Sequence, residues 1–236
     1  MRSALLGMVF LAACGSSGGD DGTKTPDASN VPAMITISGK ASKRSPGASD
    51  APGVLVAAYQ ATDPNTPVAM ATSDATGMYS MVITTNGKPL VGYLKARLSG
   101  YLDTYLYAPK PIDADFSSAS INMVNSSTVG TVSGTLCRMN QATTMGMIAM
   151  ITADANNTAV AGATATSSPS AGKICYNGSS GFPDKNATAT ATDGIVYLIN
   201  VAPGTVTVNA AGTGAPYHSH DVNARAGVFT TTVIQP

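Results

Sequence analysis

The chain predicts an all-β protein, two tandem β-sandwiches behind a flexible N-terminal segment. Three observations predict it. From Met34 onward, apolar residues alternate with polar ones in short segments punctuated by Gly, Pro, Asn and Asp, the pattern of half-buried strands and turns. No stretch in that region carries apolar residues at helical spacing. The order of signals in residues 34–124 recurs in 125–236, and a repeated order of elements reads as a repeated structural unit.

Residues 1–13 hold a lone Arg2, an apolar run from Ala4 to Phe10 and then Leu11-Ala12-Ala13 before Cys14. That run is too short to span a bilayer and ends in small residues, so it reads as an export signal. The segment resembles a bacterial lipoprotein signal peptide ending in a lipobox. The resemblance implies cleavage before Cys14, acylation of its thiol and new amino group, and a membrane anchor with no membrane-spanning segment. Gly15 stands where lipoproteins kept on the inner membrane often carry Asp, so the implied address is the outer membrane, periplasmic or surface-exposed. Residues 14–33 are mostly Gly, Ser, Asp, Thr and Pro, with almost no apolar content. Such a segment cannot bury enough apolar surface to order itself and reads as a lipidated, flexible tether.

Charge narrows the function classes. The chain has 13 basic and 13 acidic residues, and charged residues make up only 11% of it. No run of basic residues marks a nucleic-acid partner. Trp is absent and aromatics total 6%, which argues against a deep aromatic cleft. Tyr93, Tyr101, Tyr105 and Tyr107 nevertheless fall close together, and as a solvent-exposed row they would suit a carbohydrate-binding module.

In chain order, Met34–Ser38, Val54–Tyr59, Met78–Thr84, Leu90–Leu98 and Ile121–Val124 are β-prone in the first unit (34–124). In the second (125–236), Val132-Ser133-Gly134-Thr135-Leu136 answers Ile37-Ser38-Gly39-Lys40-Ala41. Val160–Ala165 answers Ala51–Val56, and Thr192–Leu198 answers Ser73–Met81. Met145–Ile151 is a short continuous apolar run, read as a strand. Asp74 and Gly77 suit a tight reversal, because Asp can bond its own backbone and Gly supplies positive φ; Pro203-Gly204 reads as another reversal.

These residues resemble the carboxypeptidase regulatory-like domain. The second unit carries most of the likeness, in Ala191-Thr192-Asp193-Gly194, Tyr197–Val208 and Ala226–Ile234. The resemblance implies that each unit is a seven-stranded, Ig-like or transthyretin-like sandwich. It implies little about function, since sandwiches host unrelated activities.

Cys137 and Cys175 are the two cysteines besides Cys14. In an oxidising compartment an isolated pair reads as one disulfide, the alternative being two buried free thiols. Tyr217-His218-Ser219-His220-Asp221 contains both histidines, which on a strand would share a face and could share a metal. This region also resembles, distantly, the intradiol dioxygenases, whose ferric iron is held by two tyrosines and a His-x-His pair. The resemblance implies His218, His220 and Tyr176 as metal ligands, but Val206 stands where a second tyrosine is needed. The competing reading is two polar residues on the solvent side of an edge strand. Met139, Met145, Met147 and Met150 could serve Cu(I) or simply fill a core.

No phosphate loop, nucleophile elbow or catalytic carboxylate pair is present in the sequence. The expectation is therefore a membrane-anchored, non-catalytic envelope protein with no cofactor, displaying β modules to an envelope protein or glycan. A metal-dependent enzyme using iron or copper and a carbohydrate-binding module are the alternatives.

Overall fold

The computed structural model describes residues 31–44, 48–212 and 216–236. The expected signal peptide (1–13), Cys14 and the expected tether through residue 30 lie outside the described residues. Among the described residues the protein is built almost wholly of strands, with one short helical segment.

The first half supplies β1 (Met34–Arg44), β2 (Ala48–Asp50), β3 (Leu55–Gln60), β4 (Asp63–Thr72), β5 (Met78–Thr84), β6 (Gly92–Arg97), β7 (Thr104–Tyr107) and β8 (Ile121–Met123). The second supplies β9 (Gly146–Thr152), β10 (Thr164–Ser168), β11 (Lys173–Asn177), β12 (Pro183–Asp184), β13 (Ile195–Val201), β14 (Gly204–Ala211), β15 (His220–Ala224) and β16 (Phe229–Ile234). Three of these, β2, β8 and β12, have three residues or fewer. Without them the first half has six strands and the second seven, against the expected seven per unit.

A nine-stranded sheet runs in the order β12-β11-β13-β9-β16-β7-β6-β3-β4. It crosses the expected boundary at residues 124 and 125 without a break, because the last strand of the chain, β16, lies parallel between β7 and β9. One face of this sheet is covered by the sheet formed by β2, β1, β5 and β8, through Ile35, Ile37, Met81 and Ile121 packed against Val56, Ala58, Leu94 and Ala96. On the opposite face, the three-stranded sheet β10-β14-β15 covers only the second half. There Val206, Val208 and Val222 meet Ile148, Met150, Leu198 and Ile234. Both contacts follow from period two: successive residues of β9, Met147 and Ile148, fall into different cores.

Two turns use the chemistry expected of them. Asp74 Oδ1 accepts from the backbone N–H of Thr76 at 2.8 Å and of Met78 at 2.9 Å, and Gly77 takes φ of +79°. Asp193 accepts from the N–H of Ile195 at 3.1 Å beside Gly194 at +66°. The correspondence of Ser73–Met81 with Thr192–Leu198 is thus a repeat of this Asp-Gly reversal, and that of Ala51–Val56 with Val160–Ala165 is a repeated turn in which Ser73 and Thr190 play the same part.

Val132–Leu136, expected as a strand, is helical instead. Ser126–Gly130 forms a short α-helix, α1, continued by a π-helical stretch over Thr131–Leu136. Asn125 caps α1 by accepting from the N–H of Thr128 at 2.8 Å. Ser133 is buried and donates to the carbonyl of Val129 at 2.8 Å. The segment caps a core of Val124, Val129, Met147, Ile199 and Phe229 on the same sheet face that β1 and its neighbours cover in the first half, beyond their reach along the sheet. The expected strand had the residues of an edge but no partner strand, and packing against a sheet face favours a compact helical path.

Candidate functional site

The register of the nine-stranded sheet aligns one row of side chains across it. Pro67, Tyr59, Tyr93, Tyr107, Thr232, Met150, Val196, Tyr176 and Asp184 are successive cross-strand neighbours. Most residues singled out in the sequence lie on or beside this row. Their spacing along it decides what they can do together.

Tyr176 is buried, and its hydroxyl accepts from the N–H of Ala165 at 2.9 Å. That bond ties β11 to β10 across the second core. Three strand steps separate Tyr176 from Thr232, about 14 Å at the usual spacing of about 4.8 Å. His220 sits on Thr232: its Nε2 is 2.7 Å from Thr232 Oγ1. The threonine hydroxyl donates to the carbonyl of Tyr107 at 3.1 Å, so its single proton is committed and it accepts from Nε2–H. Nδ1 of His220 is then the unprotonated nitrogen, and it is buried without a hydrogen-bond partner. Burial pushes the His220 pKa below that of an ordinary imidazole, and the nearby His218 backbone and Asp221 charge offset this only in part.

His218 precedes β15 and is exposed, its backbone N–H held by the carbonyl of Gln235 at 2.7 Å. The expected sharing of one strand face by the two imidazoles does not arise, because β15 begins only at His220. Tyr176 is engaged elsewhere. Among the described residues no group of three or more His, Cys, Asp or Glu could hold a metal ion. Of the four methionines, Met150 lies apart in the core under β14, whereas Met147 lies in the core under α1 with Met139 packed against it and lines a depression together with Met145.

Cys137 and Cys175 form a disulfide with a Cα–Cα distance of 5.9 Å. It pins the end of the π-helical stretch to β11, in the core that segment covers.

The tyrosines form a cluster instead of an exposed row. Tyr93, Tyr105 and Tyr107 are 6%, 6% and 9% exposed, so the solvent-facing row expected of a carbohydrate module is not what forms. Tyr93 stacks on Tyr59 with centroids 5.4 Å apart and meets Tyr107 at 5.2 Å. Arg225, just past the end of β15, lies over the cluster: its Cζ is 4.0 Å from the Tyr105 centroid and 5.0 Å from that of Tyr93. Its Nη1 donates to Tyr107 Oη at 3.1 Å. Lys95 sits 5.2 Å from the same Tyr105 ring and pairs with Asp103 at 3.0 Å. Burial opposes the Lys95 charge, but Tyr105 and Asp103 outweigh it and hold its pKa above the usual lysine value. Arg225, Thr232 and Lys95 were not legible as site residues, since each matters only through neighbours brought by the sheet from the other half or another strand.

Two open depressions lie away from these groups. One, of about 460 Å³, is lined by Leu136, Arg138, Phe182 and Lys185 among others. The other, of about 230 Å³, lies between Leu102, Val129, Met145 and Met147. Neither includes His218, His220 or Tyr176, while the second is lined by Met145 and Met147.

These features define an all-β protein in which a nine-stranded sheet carries a smaller sheet on each face and whose polar and aromatic side chains are largely spent on joining strands. No protein-family model matches the chain. No curated protein matches it in sequence. Among solved structures, the shaft pilin SpaA of Lactobacillus rhamnosus GG is similar at 11% identity and a TM-score of 0.27, over 86% of this chain and 98% of that one. GBS52, the minor pilin of Streptococcus agalactiae, is similar at 10% identity and a TM-score of 0.28, over 85% and 94%. Among the described residues no helix is long and apolar enough to cross a membrane.

Proposed function

We propose that the chain is a membrane-anchored, non-catalytic lipoprotein of the bacterial cell envelope that displays a rigid β module for structural or adhesive contact. The observation that carries this reading is the continuous nine-stranded sheet, with β16 set between β7 and β9. It makes both halves one body at the end of a tether, suited to holding a surface at a distance from a membrane. The chemically versatile side chains support the same reading, because Tyr176, His220 and Arg225 each bind a neighbouring strand. The Leu11–Cys14 motif supports the anchor, and Gly15 supports outer-membrane delivery.

Fractionation tests it. The wild-type protein partitions with membranes and into a detergent phase, and Cys14→Ser moves it to the soluble periplasmic fraction. A Cys14→Ser protein that stays membrane-bound would overturn the anchor. Stoichiometric iron or copper in purified wild type, lost in a His218→Ala/His220→Ala variant, would overturn the non-catalytic reading.

A further inference from the structure

We propose that β5 is an open sheet edge through which two copies of this chain pair, antiparallel and two-fold symmetric about Val82. The partner is a second copy, so the inference goes beyond the display reading and does not depend on the lipid anchor.

Backbone groups alternate in direction along a strand, and the bonds to β1 fix which way each residue of β5 points. The N–H of Thr85 donates to the carbonyl of Ala33 at 2.9 Å, and that of Ala41 donates to the carbonyl of Gly77 at 2.8 Å. The odd-numbered residues of β5 therefore face β1. The N–H and C=O groups of Ser80, Val82 and Thr84 point the other way, where no described strand pairs with them. The far side of β1 is closed: the N–H of Phe116 donates to the carbonyl of Thr36 and that of Ser38 to the carbonyl of Phe116, both at 2.9 Å, and β8 and β2 follow. Both edges of the nine-stranded sheet are guarded, β4 by Pro64, Pro67 and its register shifts, β12 by Pro183 and its two-residue length. Proline, irregularity and shortness are how proteins blunt an edge. β5 has none of these: it runs seven residues in unbroken register without a proline or a charge.

The side chains decide what pairs there. A two-fold axis through Val82 sets it against Val82 of the second copy and sets Ser80 against Thr84 of the second copy, each pair exchanging two backbone hydrogen bonds. Ser80, Val82 and Thr84 are exposed on the outer face, Val82 by 59%. On that face a β-branched apolar pair lies at the centre with a hydroxyl pair on either side, both favourable across strands. On the inner face Met81 meets Ile83 of the second copy, so the core that holds both residues continues from one copy into the other. This match of like with like is what an isologous contact requires, and the uncharged edge gives a partner of opposite charge nothing to recognise. β4 adjoins β5 at the same end of the sandwich, with Val68 and Met70 exposed by 41% and 60%. Six of the nine large apolar side chains exposed among the described residues lie on β1, β3, β4 and β5. Exposed apolar surface thus concentrates around this edge, as at an interaction site.

The test uses the full chain with Cys14→Ser, in which the other two cysteines are bonded to each other and an introduced cysteine is the free thiol. Val82→Cys forms an intermolecular disulfide on mild oxidation, because the symmetric pair sets its two Cα atoms about 5.5 Å apart, within disulfide range. Ser80→Cys, which faces Thr84 of the second copy, stays monomeric, and so does Phe182→Cys, at an exposed residue beside the other end of the nine-stranded sheet. Sedimentation equilibrium without an introduced cysteine shows monomer and dimer exchanging with concentration. Val82→Lys weakens the dimer about tenfold or more by setting like charges opposite each other, and its melting as a monomer is unchanged. An equimolar mixture of Val82→Lys and Val82→Glu restores the dimer, which a fold damaged by either substitution could not do. A single monomer mass up to about 1 mM, which would leave the edge to a different chain, overturns the proposal. So does a mass that grows beyond the dimer, or equal cross-linking of Val82→Cys and Phe182→Cys. The assay is done without the lipid, so either result leaves the Cys14 fractionation result standing.

Discussion

The guanidinium of Arg225 lies over the ring of Tyr105, 4.0 Å from its centroid, and so clasps a strand of the first half to the last turn before β16. The same group donates to Tyr107 Oη and to the carbonyl of Asn223, at 3.1 and 2.8 Å. Arg225 is thus held on three sides where the two halves meet. Together with β16 it makes the seam a packed interface with its own specific contacts.

Arg225→Met keeps most of the stem and removes the charge. A partly desolvated cation over an aromatic ring contributes about 1–2 kcal/mol, and the variant should lose about that much. Urea unfolding should show the midpoint falling with an unchanged slope and a single transition. Arg225→Lys should recover only part of the loss, since an ammonium cannot stack as a planar guanidinium does.

His220 makes stability depend on pH. Its folded-state pKa lies below the ordinary imidazole value of 6.5 because burial disfavours the charged ring. In that situation the unfolded chain binds more protons than the folded one, so stability rises with pH. The contribution is full above pH 6.5 and declines as the pH falls from there through the folded-state value. Thermal midpoints should drop from pH 7.5 to pH 5, and His220→Gln should flatten that drop. His218→Gln, at an exposed ring, should leave the profile as in wild type.

The Cys137–Cys175 bond closes a loop with a sequence separation of 38. Chain-entropy arithmetic for such a loop gives about 4 kcal/mol of stabilisation. The Cys137→Ser/Cys175→Ser variant should therefore unfold at much lower denaturant, and reduction of the wild type should reproduce the shift. Circular dichroism should show the helical signal of residues 126–136 lost before the β signal, because the bond anchors that segment to β11.

Gly39 and Gly53 separate crowding from backbone conformation. A Cβ on Gly39 would come within 2.1 Å of the carbonyl oxygen of Ala119, on rigid backbone. The same carbonyl accepts the hydroxyl proton of buried Tyr79, so it has little room to move. Gly53 has open space around it but a φ of +76°. Gly39→Ala should prevent accumulation of folded protein, whereas Gly53→Ala should fold with a loss of about 1 kcal/mol. Comparable soluble yields and melting points for the two would contradict this account.

Alternation of apolar and polar residues made the strands around Ile35 and Tyr79 legible, because each has one buried face and period two records it directly, whereas the strand around Ile148 is legible from a continuous apolar run and is buried on both faces. The Asp74 and Asp193 reversals were legible for a different reason, since their side chains bond only a few residues away. β4 was not, for it is an edge strand containing Pro64 and Pro67 and its residues are mostly exposed or half-buried. Nor was the helical path of Thr131–Leu136, whose β-prone residues are overruled by the core they cover.

The candidate site divides along the same line. Cys137 and Cys175 were recognisable as a pair because few cysteines leave few choices. The grouping of His218, His220 and Tyr176 did not survive, since nearness in a motif says nothing of the strand steps between β11 and β16.

By itself the sequence determined that this is an all-β protein and where most of its strands and tight turns lie, and it singled out Cys137 and Cys175 as the candidates for one disulfide. Export and lipidation at Cys14 are what the resemblance of residues 1–14 to a lipoprotein signal peptide implies. Only the tertiary structure decided that β16 joins the two halves in one sheet, that the tyrosines are buried beneath Arg225, and that Lys95, Arg97 and Arg225 share a face. The physical reason is range. Alternation and turn chemistry act over a few residues, whereas sheet register and a charge cluster drawn from both halves exist only after the chain has paired across its full length.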